Sequence, residues 1–155
     1  MKKTRFVANA ALVAALYTAL TLLSASLGLS GGAVQFRISE ALCILPCFMP
    51  ESIAGLALGC AVSNLLTGCA AADIIFGSLA TLAAALFTYL LRKNRWLAAL
   101  PPIVLNTAVV PALLCLVYKT GAAYPYLSLT VFIGEFVCCG ILGELLYSAL
   151  KKLKL

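Results

Sequence analysis

Apolar residues run through this sequence in long blocks separated by short polar clusters, and the blocks have the length of membrane helices. Residues 6–29, 74–91, 97–118 and 127–150 are each 18 to 24 positions long and predominantly apolar. An α-helix crosses a ~30 Å hydrocarbon core in about 20 residues. The region 37–73 is different. It is too long for one crossing, and Pro46, Pro50 and Glu51 interrupt it near its middle. Two short helices, about 38–50 and 52–67, joined at Met49-Pro50-Glu51-Ser52, fit its apolarity.

The basic residues set the count. They cluster at Lys2/Lys3/Arg5, Arg92/Lys93/Arg95 and Lys151/Lys152/Lys154, and cytoplasmic loops of membrane proteins carry the excess of Lys and Arg. Placing all three clusters in the cytoplasm requires an even number of crossings between neighbours, so residues 37–73 hold two helices or none. The pattern predicts an all-α integral membrane protein, a six-helix transmembrane bundle with both termini cytoplasmic, as one domain over residues 1–155. Nine of the eleven basic residues then share one side, leaving Arg37 and Lys119 outside. Ser24-Ala25-Ser26 resembles a signal-peptide cleavage site, but signal h-regions run to about 15 residues. The longer first run reads as an uncleaved helix.

Composition agrees. The chain has 155 residues, 64% hydrophobic and 10% charged, where a soluble domain is about 45–50% apolar and about 25% charged. Six helices of about 20 residues leave no room for a soluble catalytic or nucleotide-binding domain. The net charge of +6 is a topology signal rather than a footprint for nucleic acid. There is no histidine, no G-x-x-x-x-G-K-[ST], no H-E-x-x-H and no G-x-S-x-G, which argues against an enzyme and points to a carrier or channel part. Six of the seven cysteines sit in apolar runs, where cysteine behaves as a small hydrophobe; neither a metal nor a cofactor is expected.

The charged and amide groups inside the apolar blocks are the candidate site residues, because burying such groups in hydrocarbon is costly. Glu135 lies about eight residues, or about 12 Å, into the last helix, as a ligand group or a partner for another helix. Glu144 falls on the opposite face and reads as a side chain reaching the cytoplasmic end. Arg37 and Glu40 are three apart, as an i,i+3 ion pair or, with Gln35, as the lining of an outer mouth. Asp73 stands where a helix N-cap is expected and is also a candidate ligand group. Asn64 and Asn106 either bond between helices or face a ligand, and Pro111 frees the carbonyl of Thr107 just after Asn106. Phe36, Phe76, Phe132, Tyr124 and Tyr126 include rings able to stack on a flat ligand. Polar and aromatic residues also gather in the external connections, which points to a pocket mouth on that side.

Small residues add a further pattern. Ala8, Ala11, Ala15 and Ala19 form one helical stripe, and such stripes let another helix approach closely, inside the chain or from a partner. Gly55 and Gly59 repeat the spacing, with internal packing the simpler reading.

The stretch Val34-Gln35-Phe36-Arg37-Ile38-Ser39-Glu40-Ala41-Leu42, followed by Leu45-Pro46, resembles the queuosine precursor transporter (QueT) family. So does Asp73-Ile74-Ile75-Phe76-Gly77-Ser78-Leu79-Ala80-Thr81-Leu82. The resemblance implies a substrate-binding S-component of an energy-coupling factor (ECF) importer, a multi-pass protein of the bacterial plasma membrane. It implies an outward pocket under the first, third and fifth loops, and a membrane T-component and two cytoplasmic ATPases as partners, which hydrolyse the ATP. Ala11 and Ala15 become T-component contacts. The cargo would be a 7-deazaguanine such as preQ0, preQ1 or queuine, flat, with adjacent N–H donors that one carboxylate can accept. Glu135 is the first choice for that carboxylate and Glu40 or Asp73 the second, with Asn106 or Arg37 donating to O6. An S-component for another planar vitamin, riboflavin- or thiamin-like, and a non-transport membrane scaffold are the alternatives.

Overall fold

The structure is a computed structural model and describes residues 2–29 and 35–153. All regular elements among these residues are helical. Six segments run in chain order: α1, Lys2–Ser26; α2, Ile38–Cys47, a 3-10 helix; α3, Ser52–Leu66; α4, Asp73–Leu90; α5, Arg95–Leu116; and α6, Tyr124–Lys152. α1, α4, α5 and α6 are long and apolar enough to cross a membrane, while α2 and α3 are shorter. The 3-10 geometry lengthens α2. At about 2.0 Å per residue against about 1.5 Å in an α-helix, it reaches roughly as far as the longer α3. The connection expected at positions 30–34 lies outside the described residues.

Successive helices reverse direction, and hydrogen bonds tie their ends together. At one end Asn9 Nδ2 donates to Glu51 at 3.0 Å and Arg95 pairs with Glu144 at 2.9 Å. Arg5, Arg92, Lys93, Lys151 and Lys152 gather at this basic end. Glu51 is held below the usual carboxylate range by its own backbone N–H and by Asn9. At the far end the Ile38 N–H donates to Ser24 Oγ at 3.1 Å, and Asn64 Nδ2 donates to the Asp73 carbonyl at 3.2 Å. Gly68, at φ +72°, ends α3 there in the left-handed region that glycine enters without steric cost. Glu144 therefore has a fixed partner on α5 rather than only a path to the surface.

The core is built around α2. Every residue from Ser39 to Pro46 is buried, with α1, α3, α4 and α6 packed against the helix. α1 and α3 meet through the glycines. A Cβ added at Gly55 would stand 2.5 Å from the Ala10 carbonyl oxygen, and one at Gly59 would stand 2.8 Å from Tyr17 Cβ. Gly55 and Gly59 therefore serve packing within the chain. Ala8, Ala11, Ala15 and Ala19 lie on the other face of α1, and all four are exposed.

Two π segments depart from regular α-helix. α4 opens with one at Asp73–Gly77, and α6 contains one at Phe136–Leu142, directly after Glu135. A π turn adds a residue to one turn and rotates the rest of the helix, and such turns are frequent at functional sites.

Candidate binding site

Glu40 on α2 is the most buried carboxylate among the described residues. Its carboxylate accepts from the Tyr17 hydroxyl of α1, from Cys43 Sγ one 3-10 turn on at 3.1 Å, and from Asn106 Nδ2 of α5 at 3.3 Å. In a 3-10 helix residues i and i+3 eclipse, which is why Cys43 sits over Glu40. Arg37 shares that spacing but does not pair with Glu40. It precedes the helix with extended backbone, φ −109° and ψ 98°, and the only ion pair among the described residues is Arg95–Glu144.

Asn106 joins two carboxylates. The same Nδ2 donates to Glu135 Oε1 of α6 at 3.0 Å, and Cys139 Sγ donates to Glu135 Oε2 at 3.3 Å. Glu40, Asn106 and Glu135 are 2%, 5% and 7% exposed, so three helices contribute one buried polar floor. Each floor carboxylate is hydrogen-bonded, as burial requires. Glu135 has two donors, and a carboxylate has about four acceptor positions, so it retains room for more. Ligating atoms of Glu40, Glu135 and Cys139 lie within 4.8 Å of one another, a spacing that also suits a cation. The Asn106 amide protons point between the two carboxylates, however, and a metal there would have to displace them.

A small polar chamber above the floor is lined by Arg37, Glu40, Thr81, Asn106 and Glu135 among others. Its volume, ≈ 20 Å³, is about that needed for one water. Beyond it, towards the far end, lies a cavity of ≈ 350 Å³ lined by residues that include Thr21, Asn64, Thr67, Asp73 and Tyr118. Ligand sites begin at about 300 Å³. Gln35, Arg37 and Val110 line both spaces, so chamber and cavity adjoin through them. The Arg37 carbonyl accepts from the Glu40 N–H at 3.0 Å, while its guanidinium has no hydrogen-bond partner among the described residues.

Asp73 holds the mouth. It does not cap α4: the cap position is Ala72, with no side-chain bond. The Asp73 carboxylate instead accepts from the Tyr118 hydroxyl, which itself accepts from the Ala70 N–H at 3.0 Å. Partial burial and the Asp73 bond push the hydroxyl of Tyr118, beyond the end of α5, up to about 12, so it stays a donor at neutral pH. Asn64, 2% exposed, spends its Nδ2 on the Asp73 carbonyl and leaves Oδ1 without a partner among the described residues.

The aromatic candidates stand elsewhere. Phe76, Phe132 and Tyr126 are 56%, 43% and 54% exposed on the outer surface and line neither space. Phe132 stacks on Phe136 at 6.1 Å, and the Tyr124 hydroxyl bonds the Ala108 carbonyl at 3.0 Å. Several lining or supporting residues were not signalled by the sequence, among them Tyr17, Thr21, Thr67, Thr81 and Tyr118. A tyrosine inside the first apolar block was the one visible cue.

Four membrane-length helices, a buried polar chamber and an adjoining solute-sized cavity are features that small-molecule membrane carriers combine. Residues 7–152 match the QueT transporter family, and the chain belongs to that family, as a multi-pass protein of the cell membrane. It is also similar to the "Queuosine precursor transporter QueT" of Lactococcus lactis subsp. cremoris (strain MG1363), with 39% identity over 80 residues. That match covers 52% of this chain and 47% of the relative, so the chain spans about half the length of that protein. No solved structure matches.

Proposed function

We propose that the chain is the substrate-binding S-component of an ECF-type importer and captures a queuosine precursor, a 7-deazaguanine, in its far-end cavity. The observation that carries this reading is the cavity itself: a solute-sized space at the end away from the basic clusters, adjoining a floor built from Glu40, Asn106 and Glu135. The name of the Lactococcus relative supplies the cargo class. In this reading α2 and α3 cross as well, giving six crossings. The positive-inside rule puts the basic end in the cytoplasm and the cavity mouth outside.

The flat base lies in the cavity with its paired N–H edge towards Glu135, whose acceptor capacity is unspent, and Arg37 donates to O6. No catalytic chemistry is assigned to the chain, and ATP hydrolysis resides on partner subunits. The exposed stripe containing Ala11 and Ala15 supports docking of a T-component helix, since small residues permit close helix approach.

Titration of the purified chain with 7-deazaguanines, riboflavin and thiamin tests the cargo. Binding confined to 7-deazaguanines is expected; tighter binding of a vitamin overturns the cargo class, and binding of none favours a scaffold. Ala15→Trp is expected to leave binding unchanged and abolish uptake. Uptake at the parental rate would remove the stripe from the assembly surface.

A further inference from the structure

The acidic and basic groups that line the site are unequal in number. Among the described residues, the chamber and cavity are lined by three carboxylates, Glu40, Asp73 and Glu135, against one guanidinium, Arg37. Inside a membrane protein, charges persist where a partner compensates them. A second, independent feature sits beside Asp73. Asn64 is buried, lines the cavity, and its Oδ1 accepts no hydrogen bond among the described residues. Its orientation is fixed, because Nδ2 donates to the Asp73 carbonyl and an oxygen could not take that place. A buried acceptor left open is costly unless something donates to it.

We infer that the corner formed by Asn64 Oδ1 and the Asp73 carboxylate is an ammonium subsite, so that the protein selects 7-deazaguanines bearing a protonated amine over neutral ones. This rests on the reading of the cavity as a 7-deazaguanine site and specifies which members of that class it takes. The corner supplies one charged and one neutral acceptor, the complement of an ammonium group, which has only donors. Its place agrees with the shape of the base. With the paired N–H edge of the six-membered ring towards Glu135, a substituent on the five-membered ring points back to the mouth, where Asn64 and Asp73 stand. The Tyr118 hydroxyl occupies one carboxylate oxygen of Asp73 and leaves the other available.

Three ligands test this on the wild-type chain in lipid nanodiscs: 7-aminomethyl-7-deazaguanine, a cation at pH 7, and the neutral 7-cyano and unsubstituted compounds. The aminomethyl ligand is expected to bind at least about tenfold tighter than either neutral one, as a charge-assisted hydrogen bond implies. Asp73→Asn, which keeps the shape of the side chain, is expected to remove most of that preference and leave the cyano affinity within about twofold. Asn64→Ala, with the Asp73 charge in place, is expected to cost the aminomethyl ligand at least about threefold and the cyano ligand less than twofold. Equal or tighter wild-type binding of the cyano compound overturns the subsite, as does an Asp73→Asn loss shared by all three ligands. The wild-type series needs no variant to fold. Binding of none of the three overturns the parent reading and this one with it, whereas binding without preference overturns this inference alone.

Discussion

The floor and the mouth of the cavity use the same kinds of side chain to opposite ends. At the floor, Glu40 takes donors from three helical segments, α1, α2 and α5, and Asn106 closes the network to Glu135. At the mouth, Asp73 has one tyrosine and Asn64 has an open acceptor. A satisfied polar network specifies how helices pack, while an unsatisfied buried group waits for a donor from outside the chain. Glu40 thus belongs to the fold, the Asn64–Asp73 corner belongs to the ligand, and Glu135 stands between them.

Substitutions can break that contrast. Glu40→Leu is expected to have the largest effect, because it strands Tyr17 and part of Asn106 in the core. A loss of about 3–5 kcal/mol, read as a lowered midpoint in thermal unfolding of the detergent-solubilised protein, is the expected outcome; an unchanged midpoint would move Glu40 out of the structural role. Glu135→Gln comes next. It keeps the Asn106 contact but replaces half of the acceptor surface, and all 7-deazaguanines are expected to bind about 10- to 100-fold more weakly, with the unfolding midpoint within a few degrees. Wild-type affinity in that variant would remove Glu135 from the site. Tyr118→Phe should be smallest. It frees Asp73 from its one side-chain donor among the described residues, and a change of no more than about fivefold is expected in calorimetric titration; a loss as large as that of Glu135→Gln would show that the mouth, not the floor, anchors the base.

Much of the fold was legible because hydrophobic block length and basic clusters are direct physical consequences of the bilayer. Both short helices formed on either side of Pro50 and Glu51; the observed α3 ends within one residue of its expected bound, while α2 stops at Cys47, three residues before its own. The site was less legible, and the reasons are local. Glu135 stood out by depth alone. Glu40 looked half-explained by Arg37 because the i,i+3 spacing suits an ion pair in an α-helix, whereas Arg37 is extended backbone before a 3-10 helix and the two side chains form no ion pair. Asp73 looked like a cap because capping and ligand binding favour the same residue type. Phe76 was placed by its neighbours: Gly77 beside it lines the chamber, while the π turn at Asp73–Gly77 leaves the ring on the outer surface. A 100° periodicity cannot anticipate that rotation. Tyr17 needed the third dimension, since the face of α1 that carries it differs from the alanine face only in what packs on it.

The central claim is that this cavity holds a 7-deazaguanine. Mass spectrometry of the small molecule released from the chain, purified from cells supplied with 7-deazaguanines, riboflavin and thiamin together, tests it most directly. A 7-deazaguanine is the expected product, with the aminomethyl compound the most abundant. Release of riboflavin or thiamin, or of nothing from correctly folded protein, would contradict it.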